Sequence, residues 1–378
     1  MDFGLSDEQE ALRKSAREFL TDRSTTQLVR KLMASKTGFD EGLWRSMAEL
    51  GWMGTAIAEE DGGLGLGQIE LAILAEETGR AILPSPFYSS VGLAGPVIAA
   101  AATGTIRKEL LGGIASGETR ATLALVEAEG RWDAQGVKAK AVKEGGGYTI
   151  TGTKVFVPDA HLAGEFVVAA RTSREKDKRA GISLFAVPAS DPNVKVRQLD
   201  TIDRTRRLCR VRFSGVKVAA DRLLGQEGDG WPVLDRALDR AATTLAAEAT
   251  GVASKVVELS RDYARERMQF DRPIGSFQAI SHKVADMLVL TENARSTTYY
   301  AAWALEEGAP DARLAAATAK VAGSEAARTV AQDGIQVHGG IGFTWEHDMH
   351  LYYRRAKWCE LFLGDPSLWR ERVASLIA

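Results

Sequence analysis

Residues 336–355 read QVHGGIGFTWEHDMHLYYRR, and this stretch decides how the chain is interpreted. It holds three of the five histidines, three glycines and one of the eight tryptophans, inside a half of the chain that otherwise has a helical pattern. Helices rarely contain a Gly-Gly pair followed so soon by a third glycine, because ordering glycine costs more backbone entropy than ordering any other residue. The stretch therefore indicates a place where the main chain has to stay bare.

The composition is that of a globular protein with two or three domains. The 378 residues are 45% hydrophobic and 26% charged, with a formal net charge of −2. A charge so close to zero gives no electrostatic case for nucleic acid as the main partner. Cys209 and Cys359 are too few for a disulfide framework and have no metal-ligand spacing, which suits a reducing compartment. Since there is neither a signal peptide nor an apolar run long enough for a membrane span, we expect a soluble, cytoplasmic protein.

The hydrophobic pattern divides the chain into three regions, which we predict to be three domains. Residues 1–118 repeat apolar side chains at helical spacing, beginning with a capped start at Ser6. Residues 119–226 change to short β-branched runs separated by Gly, Asp and Pro, which is typical of strands, and KEGGGY (143–148) is a hairpin signal. Residues 227–378 return to long helical patterns. The predicted order is helical, β and helical.

Two C-terminal segments resemble the acyl-CoA dehydrogenase family of flavoproteins. They are RERMQFDRPIGSFQAISHKVADM, residues 265–287, and the stretch 336–355. The resemblance extends over essentially the whole chain, because that family has a helical N-terminal domain, a β-barrel middle domain and a C-terminal four-helix bundle. It implies an α+β multidomain protein with the acyl-CoA dehydrogenase fold, which binds FAD across a dimer interface.

The resemblance also implies which residues contact FAD. Arg267 falls where the family has an arginine on the FAD pyrophosphate, and a planar guanidinium suits a diphosphate because it donates two charge-assisted hydrogen bonds at once. The glycines of the opening stretch would let backbone amides approach the cofactor. The implied FAD-binding residues are Arg267, Phe270, Gln278, Gln336, Val337, His338, Gly339, Gly340, Val126, Phe156, Val157, Pro158 and Asp365.

Simpler interpretations exist for two of these features. Taken alone, Arg267 could be a solvated charge beside Glu266, and only the motif that follows it favours the cofactor role. The three histidines of 336–355 match no common metal-ligand set, so we predict a structural role for them and no metal site.

Two motifs of the β region depart from the family. Where the family has Thr-Glu-Pro followed by Gly-Ser-Asp around the flavin and the substrate, this chain has LVEAEGRWDA (125–134), in which Glu127 persists and Trp132 replaces the serine on the substrate side. The family's Trp-Ile-Thr beside the flavin ring is Phe156–Pro158 here. Phe156 can still stack on an isoalloxazine edge. Pro158 has no N–H or hydroxyl, so it cannot donate a hydrogen bond near flavin N5.

The catalytic base is missing from its usual places. The family reaction removes an α-proton from an acyl thioester while a hydride leaves for flavin N5, and a carboxylate takes the proton. The larger branch has its glutamate where this chain has Leu363, and the smaller branch has it at Ala241-Ala242, which the resemblance puts beside the substrate. Glu248, the one charged residue of 241–254, is the remaining candidate. It could equally pair with a basic residue of a neighbouring helix or subunit.

Three functions are therefore open. The leading one is FAD-dependent α,β-dehydrogenation of an acyl-CoA thioester, with the electrons passed to an electron-transfer flavoprotein. The two vacant base positions motivate the second, a non-catalytic or half-site subunit of a hetero-oligomeric acyl-CoA dehydrogenase. The third is a flavin-dependent monooxygenase on the same scaffold, which needs no carboxylate base. We expect a homodimer or homotetramer, or a hetero-oligomer, because two chains would hold one flavin.

Overall fold

A computed structural model describes residues 4–378. Its α-helices are α1 (Asp7–Arg23), α2 (Thr26–Ala34), α3 (Glu41–Glu49), α4 (Gln68–Arg80), α5 (Gly95–Ala101), α6 (Gly104–Ala115), α7 (Gly230–Glu266), α8 (Gln278–Glu307), α9 (Ala312–His338), α10 (Met349–Leu361) and α11 (Pro366–Ile377). Its strands are β1 (Ala121–Ala124), β2 (Lys140–Glu144), β3 (Gly147–Pro158), β4 (Glu165–Arg171), β5 (Ile182–Pro188), β6 (Val194–Gln198), β7 (Leu208–Ala219), β8 (Leu223–Leu224), β9 (Met268–Gln269) and β10 (Arg272–Pro273). The order helical, sheet, helical agrees with the prediction.

The first helix begins where its sequence predicts. The Ser6 hydroxyl accepts a hydrogen bond from the Gln9 backbone N–H at 3.2 Å, and the Gln9 side chain accepts one from the Ser6 N–H at 3.0 Å. This reciprocal capping box satisfies two of the N–H groups that a helix start leaves unpaired. Acidic side chains in the first turn, Asp7 among them, complement the positive end of the helix dipole.

The middle strands form one sheet in the order β6-β7-β3-β2-β4-β5-β8, with β1 beside β4. The predicted hairpin at KEGGGY is confirmed: β2 and β3 pair antiparallel from Glu144 and Gly147, and Gly145 and Gly146 between them have φ of 57° and 80°. Two consecutive left-handed residues make the turn whose twist matches that of the strands. Alternate side chains of the strands pack into one apolar core that includes Phe166.

The chain folds as two compact units. The first contains Met1–Met33, described from Gly4, together with Gln68–Leu83 and Ala242–Ala378. The second contains Ala34–Gly67 and Pro84–Ala241, and the sheet lies in it. Of the helices in residues 4–378, none combines the length and the apolar character that a bilayer crossing requires.

Inside the first unit, α4 and α7 cross at two glycines. A Cβ atom on Gly79 would lie 2.0 Å from the Glu248 carbonyl oxygen, and one on Gly251 would lie 1.9 Å from the Glu76 carbonyl oxygen. Backbone cannot yield as a flexible side chain does, so only glycine permits this approach. The close crossing buries the middle of α7, including Glu248.

Candidate functional site

Phe270 lies at the tip of a strained hairpin. Gln269 of β9 pairs with Arg272 of β10, so Phe270 and Asp271 form a two-residue loop. Their φ angles are 53° and 60°, as a type I′ turn requires. Asn, Asp and Gly usually fill such turns, because a left-handed conformation costs most other residues, Phe included, about 1–2 kcal/mol. The Phe270 side chain is 86% exposed. A strained turn that displays a phenyl ring to the outside indicates contact with a ligand or partner.

The residues around this hairpin place a cation and a second ring beside it. The Arg267 carbonyl accepts a hydrogen bond from the Ile274 N–H at 2.8 Å, which closes the hairpin at its base. The Phe277 ring meets Phe270 edge-on, with centroids 6.0 Å apart, and precedes Gln278, the exposed first residue of α8. The Arg267 side chain is exposed as well. The predicted pyrophosphate contact and the start of α8 therefore both face outward.

The end of α9 supplies the bare backbone that the sequence indicates. Gln336 and Val337 lie in its last turn, and Gly339 follows with a φ of 63°. A Cβ atom built on Gly339 or Gly340 meets nothing within 4 Å in the described chain. Gly340 has no left-handed φ, so residues 4–378 themselves do not require a glycine there. The uncovered main chain fits a group from outside the chain, such as a dinucleotide or a second subunit.

His338 is held in one tautomer beneath this backbone. Its Nδ1 lies 2.7 Å from the Gly334 carbonyl oxygen, and a carbonyl can only accept, so Nδ1 carries the proton. The ring stacks on Tyr263 at 4.4 Å and lies 4.6 Å from the His347 ring. Burial lowers the pKa of His338, which keeps the imidazole neutral at pH 7. The hydrogen bond and the stacking give His338 a structural role, and its Nε2 is the accepting side of the ring.

In the second unit, a bulge in β3 sets the direction of Phe156. The pairing of β3 with β7 shifts between Lys154 and Val157, and Phe156 has a φ of 55°. Bulges re-aim side chains and are frequent next to active sites. Phe156 is exposed, whereas Val126, Val157 and Pro158 are buried. Of the residues predicted to meet the flavin in this unit, Phe156 presents its side chain and the others can offer only backbone.

The turn after α10 contains Leu363, the residue predicted to occupy the base position of the larger branch. Leu363 is buried with a φ of 62°, and its carbonyl accepts a hydrogen bond from Trp369 Nε1 at 3.0 Å. Gly364 follows with a φ of 98°. Asp365 then caps α11, because its Oδ1 accepts the Leu368 N–H at 2.9 Å. The turn therefore holds a strained leucine at the predicted base position and gives Asp365 a local structural role.

Glu248 forms a buried ion pair. Its Oε1 lies 2.7 Å from Nη1 of Arg355 in α10, and the two side chains are 1% and 0% exposed. Arg355 Nη2 points at the carbonyls of Ile82 and Leu83, at 3.5 and 3.3 Å. Seven residues earlier, Ala241 is fully buried, and its carbonyl accepts a hydrogen bond from the Tyr88 hydroxyl at 3.2 Å. The structure thus joins Glu248 to a guanidinium for which the family resemblance implies no role.

Ala242 and Trp132 are the other two residues predicted to lie beside the substrate. Ala242 is fully buried in α7. Trp132 lies partly buried in the irregular segment between β1 and β2. Asp133, which follows it, accepts the Gly136 N–H at 3.1 Å and caps a short turn.

Three family models together match nearly the whole chain. The acyl-CoA dehydrogenase N-terminal domain matches residues 6–118, the middle domain residues 122–216 and the C-terminal domain residues 228–377. The chain belongs to the acyl-CoA dehydrogenase family. It is an oxidoreductase acting on acyl-CoA, and its cofactor is FAD. The acyl-CoA dehydrogenase fold predicted from the sequence is confirmed.

Relatives match the chain from end to end. Acyl-CoA dehydrogenase IpdE2 of Mycobacterium tuberculosis is 34% identical over 372 residues, which are 98% of this chain and 97% of the relative. A chain of the ChsE4–ChsE5 complex from Mycobacterium tuberculosis is 30% identical, with a TM-score of 0.90 and coverage of 100% and 99%. A chain solved in work on the electron transferring flavoprotein of Acidaminococcus fermentans and flavin-based electron bifurcation is 29% identical, with a TM-score of 0.93 and coverage of 100% and 99%.

The strained hairpin predicts a trade-off between stability and cofactor binding. We expect Phe270→Asn to raise the free energy of unfolding by up to about 1 kcal/mol, since asparagine tolerates the left-handed turn. The same variant loses the exposed ring and should bind FAD about tenfold more weakly. Urea unfolding and fluorescence titration with FAD measure the two effects.

Asp271→Gly is the matched control for this prediction, because it relieves strain in the same turn and keeps the ring. It should gain stability and retain the FAD affinity of the parent protein. If Phe270→Asn binds FAD as tightly as the parent, the ring is not a cofactor contact.

The burial of His350, in the first turn of α10, predicts that the protein is less stable in acid. It is 6% exposed, and neither ring nitrogen has a hydrogen-bond partner. Burial, reinforced by the charges of Arg354 and Arg30, lowers the pKa of His350 to about 4. In the unfolded chain the His350 imidazole becomes protonated below about pH 6.5, whereas in the native protein it stays neutral down to about pH 4. The free energy of unfolding therefore decreases as the pH falls from about 6.5 towards 4.

We expect His350→Phe to flatten this pH dependence and to leave stability at pH 7.5 unchanged or higher, because two unsatisfied buried nitrogens are removed. Unfolding free energies between pH 4.5 and pH 8 measure it, with His282→Phe on the exposed face of α8 as the control. A slope in His350→Phe as steep as that of the parent would contradict the assignment.

Proposed function

We propose that this chain holds FAD in a hetero-oligomeric acyl-CoA dehydrogenase, and that a different chain supplies the carboxylate that removes the substrate α-proton. The reaction is α,β-dehydrogenation of an acyl-CoA thioester, and the electrons pass to an electron-transfer flavoprotein. The observation that supports this best is the ion pair of Glu248 with Arg355, in which both side chains are buried and 2.7 Å apart.

A carboxylate in that position is poorly suited to be the base. It would have to give up its guanidinium to reach a substrate carbon, and breaking a buried pair costs about 3–5 kcal/mol. Both family positions for the base are filled by side chains that cannot accept a proton, Leu363 and the pair Ala241-Ala242. Asp365 is engaged as a helix cap. Glu360, close by in α10, pairs with Arg328 and Lys357.

The cofactor site itself fits a flavin dinucleotide. The exposed guanidinium of Arg267 can pair with a diphosphate through two parallel hydrogen bonds. The backbone of Gly339 and Gly340 leaves room for a close approach. In the first unit, Phe270 presents an exposed ring from a strained turn, and such a ring can cover part of a flavin and keep water away. In the second unit, Phe156 presents an exposed ring from a bulge. FAD, when bound, supplies the hydride acceptor.

Two of the relatives support the finer points. The ChsE4–ChsE5 structure is a complex of two different chains, which is the kind of assembly proposed for this protein. The chain solved in work on the electron transferring flavoprotein of Acidaminococcus fermentans resembles this one over its whole length, which supports that class of electron acceptor.

The experiment compares this chain alone with the chain co-expressed with a family member that has a glutamate at the position of Leu363 or Ala241. The readout is anaerobic loss of the visible flavin absorbance after addition of butyryl-CoA or palmitoyl-CoA. We expect the chain alone to stay yellow and the co-expressed complex to bleach. Rapid bleaching of the isolated chain would place the base within it and contradict the proposal.

Leu363→Glu tests directly whether the chain lacks a carboxylate base at this position. Its carboxyl group would lie in a buried turn, where desolvation raises a carboxyl pKa towards neutrality and favours proton abstraction. We expect the isolated variant to bleach at least tenfold faster than the parent. Leu363→Gln, which matches its size but cannot take a proton, should not. Equal behaviour of the two variants in FAD-loaded protein would mean that the substrate does not lie against this turn.

A further inference from the structure

Lys154 is a fully buried lysine in β3, two residues before the bulge at Phe156. Its ammonium donates to the Glu127 carboxylate at 2.8 Å and to the Leu125 carbonyl at 3.0 Å. Lysine is rarely buried completely, because removing its charge from water costs several kcal/mol unless it is paired. Burial accordingly lowers the pKa of Lys154, and the Glu127 charge opposes that shift. A buried ion pair with so large a desolvation cost indicates that the backbone geometry around Lys154 is tightly constrained.

Glu127 connects Lys154 to the segment that leads into β2. The carboxylate oxygen that binds the ammonium also accepts the backbone N–H groups of Lys138 and Ala139, each at 2.8 Å. The segment between β1 and β2 has no strand pairing of its own there, so these bonds fix its two ends against β3. A backbone bond from the Val155 N–H to the Val126 carbonyl, at 2.8 Å, completes the connection.

Arg171 holds the same segment from β4. Its guanidinium donates to the carbonyls of Val137 and Ala134 at 2.7 and 2.8 Å. Irregular backbone is thus held by a lysine, a glutamate and an arginine whose partners are mainly carbonyls and amides. Such networks make a region rigid when all their members are satisfied.

The held residues are those that the cofactor would meet. Phe156 follows Lys154 by two positions and has a left-handed φ, a strain that persists only where the surrounding structure over-determines it. Val126 lies between the two residues whose atoms bind the ammonium, Leu125 and Glu127. We propose that Lys154 is a positioning residue, whose bonds to Glu127 and Leu125 fix the Phe156 bulge and the Val126 backbone in the geometry that binds the flavin. This role rests on the proposed FAD site.

The test uses Lys154→Met/Glu127→Gln, because Lys154→Met alone leaves an unpaired buried carboxylate and is expected to unfold more easily. Removing both charges together keeps the charge balance and is often close to neutral for stability. Lys140→Met, an exposed lysine of β2, is the matched control. Three quantities are measured: global unfolding, hydrogen exchange of the Val155 amide in the FAD-free protein, and FAD affinity with the spectrum of bound flavin.

We expect the double variant to fold, to exchange the Val155 amide at least tenfold faster, and to bind FAD about tenfold more weakly with an altered flavin spectrum. Lys140→Met should match the parent protein. A folded double variant with parental exchange, FAD affinity and spectrum would overturn the positioning role and leave the proposed function intact. Failure of the parent protein itself to take up FAD would overturn the proposed function, and this role with it.

Discussion

The ion pair between Glu248 and Arg355 is the interaction on which the first unit depends. It joins α7 to α10, and the guanidinium also points at the carbonyls of Ile82 and Leu83 just beyond α4. Both charges are out of water, so neither can be removed alone without leaving the other uncompensated. The close crossing of α4 and α7 buries the part of α7 that carries Glu248. A charged side chain can be buried there only if it is paired, which is why Arg355 lies beside it.

This constraint decides the chemistry that remains for the chain. A carboxylate committed to a guanidinium anchors helices, and in the proposed function the proton acceptor of the reaction comes from another chain. In each of the two units the chain itself offers an exposed ring on strained backbone. Phe156 and Phe270 both have left-handed φ and exposed side chains, and the buried Leu363 shares the backbone conformation. Strain of this kind is kept where a ligand or partner needs the shape.

Much of the fold could be predicted from the sequence, because it depends on local sequence patterns. The cap at Ser6 and the glycines between β2 and β3 are short-range signals, and the change of hydrophobic period marks the sheet region. The partner of Glu248 could not be predicted, since Arg355 is 107 positions away and the pairing depends on how two helices approach. A signal existed: Leu351, Arg355 and Cys359 share one buried face of α10, and a charge on such a face requires a buried partner. The bulge at Phe156 lies outside any periodic pattern.

The coupling energy between Glu248 and Arg355 tests the central claim most directly. It is obtained from the unfolding free energies of the parent protein, Glu248→Gln, Arg355→Met and the double variant. A structural pair predicts that each single variant loses about 3–5 kcal/mol and that the double variant recovers at least about 2 kcal/mol of the summed loss. Additive and small losses, with Glu248→Gln as stable as the parent, would show that the carboxylate is not committed to the guanidinium and would contradict the account.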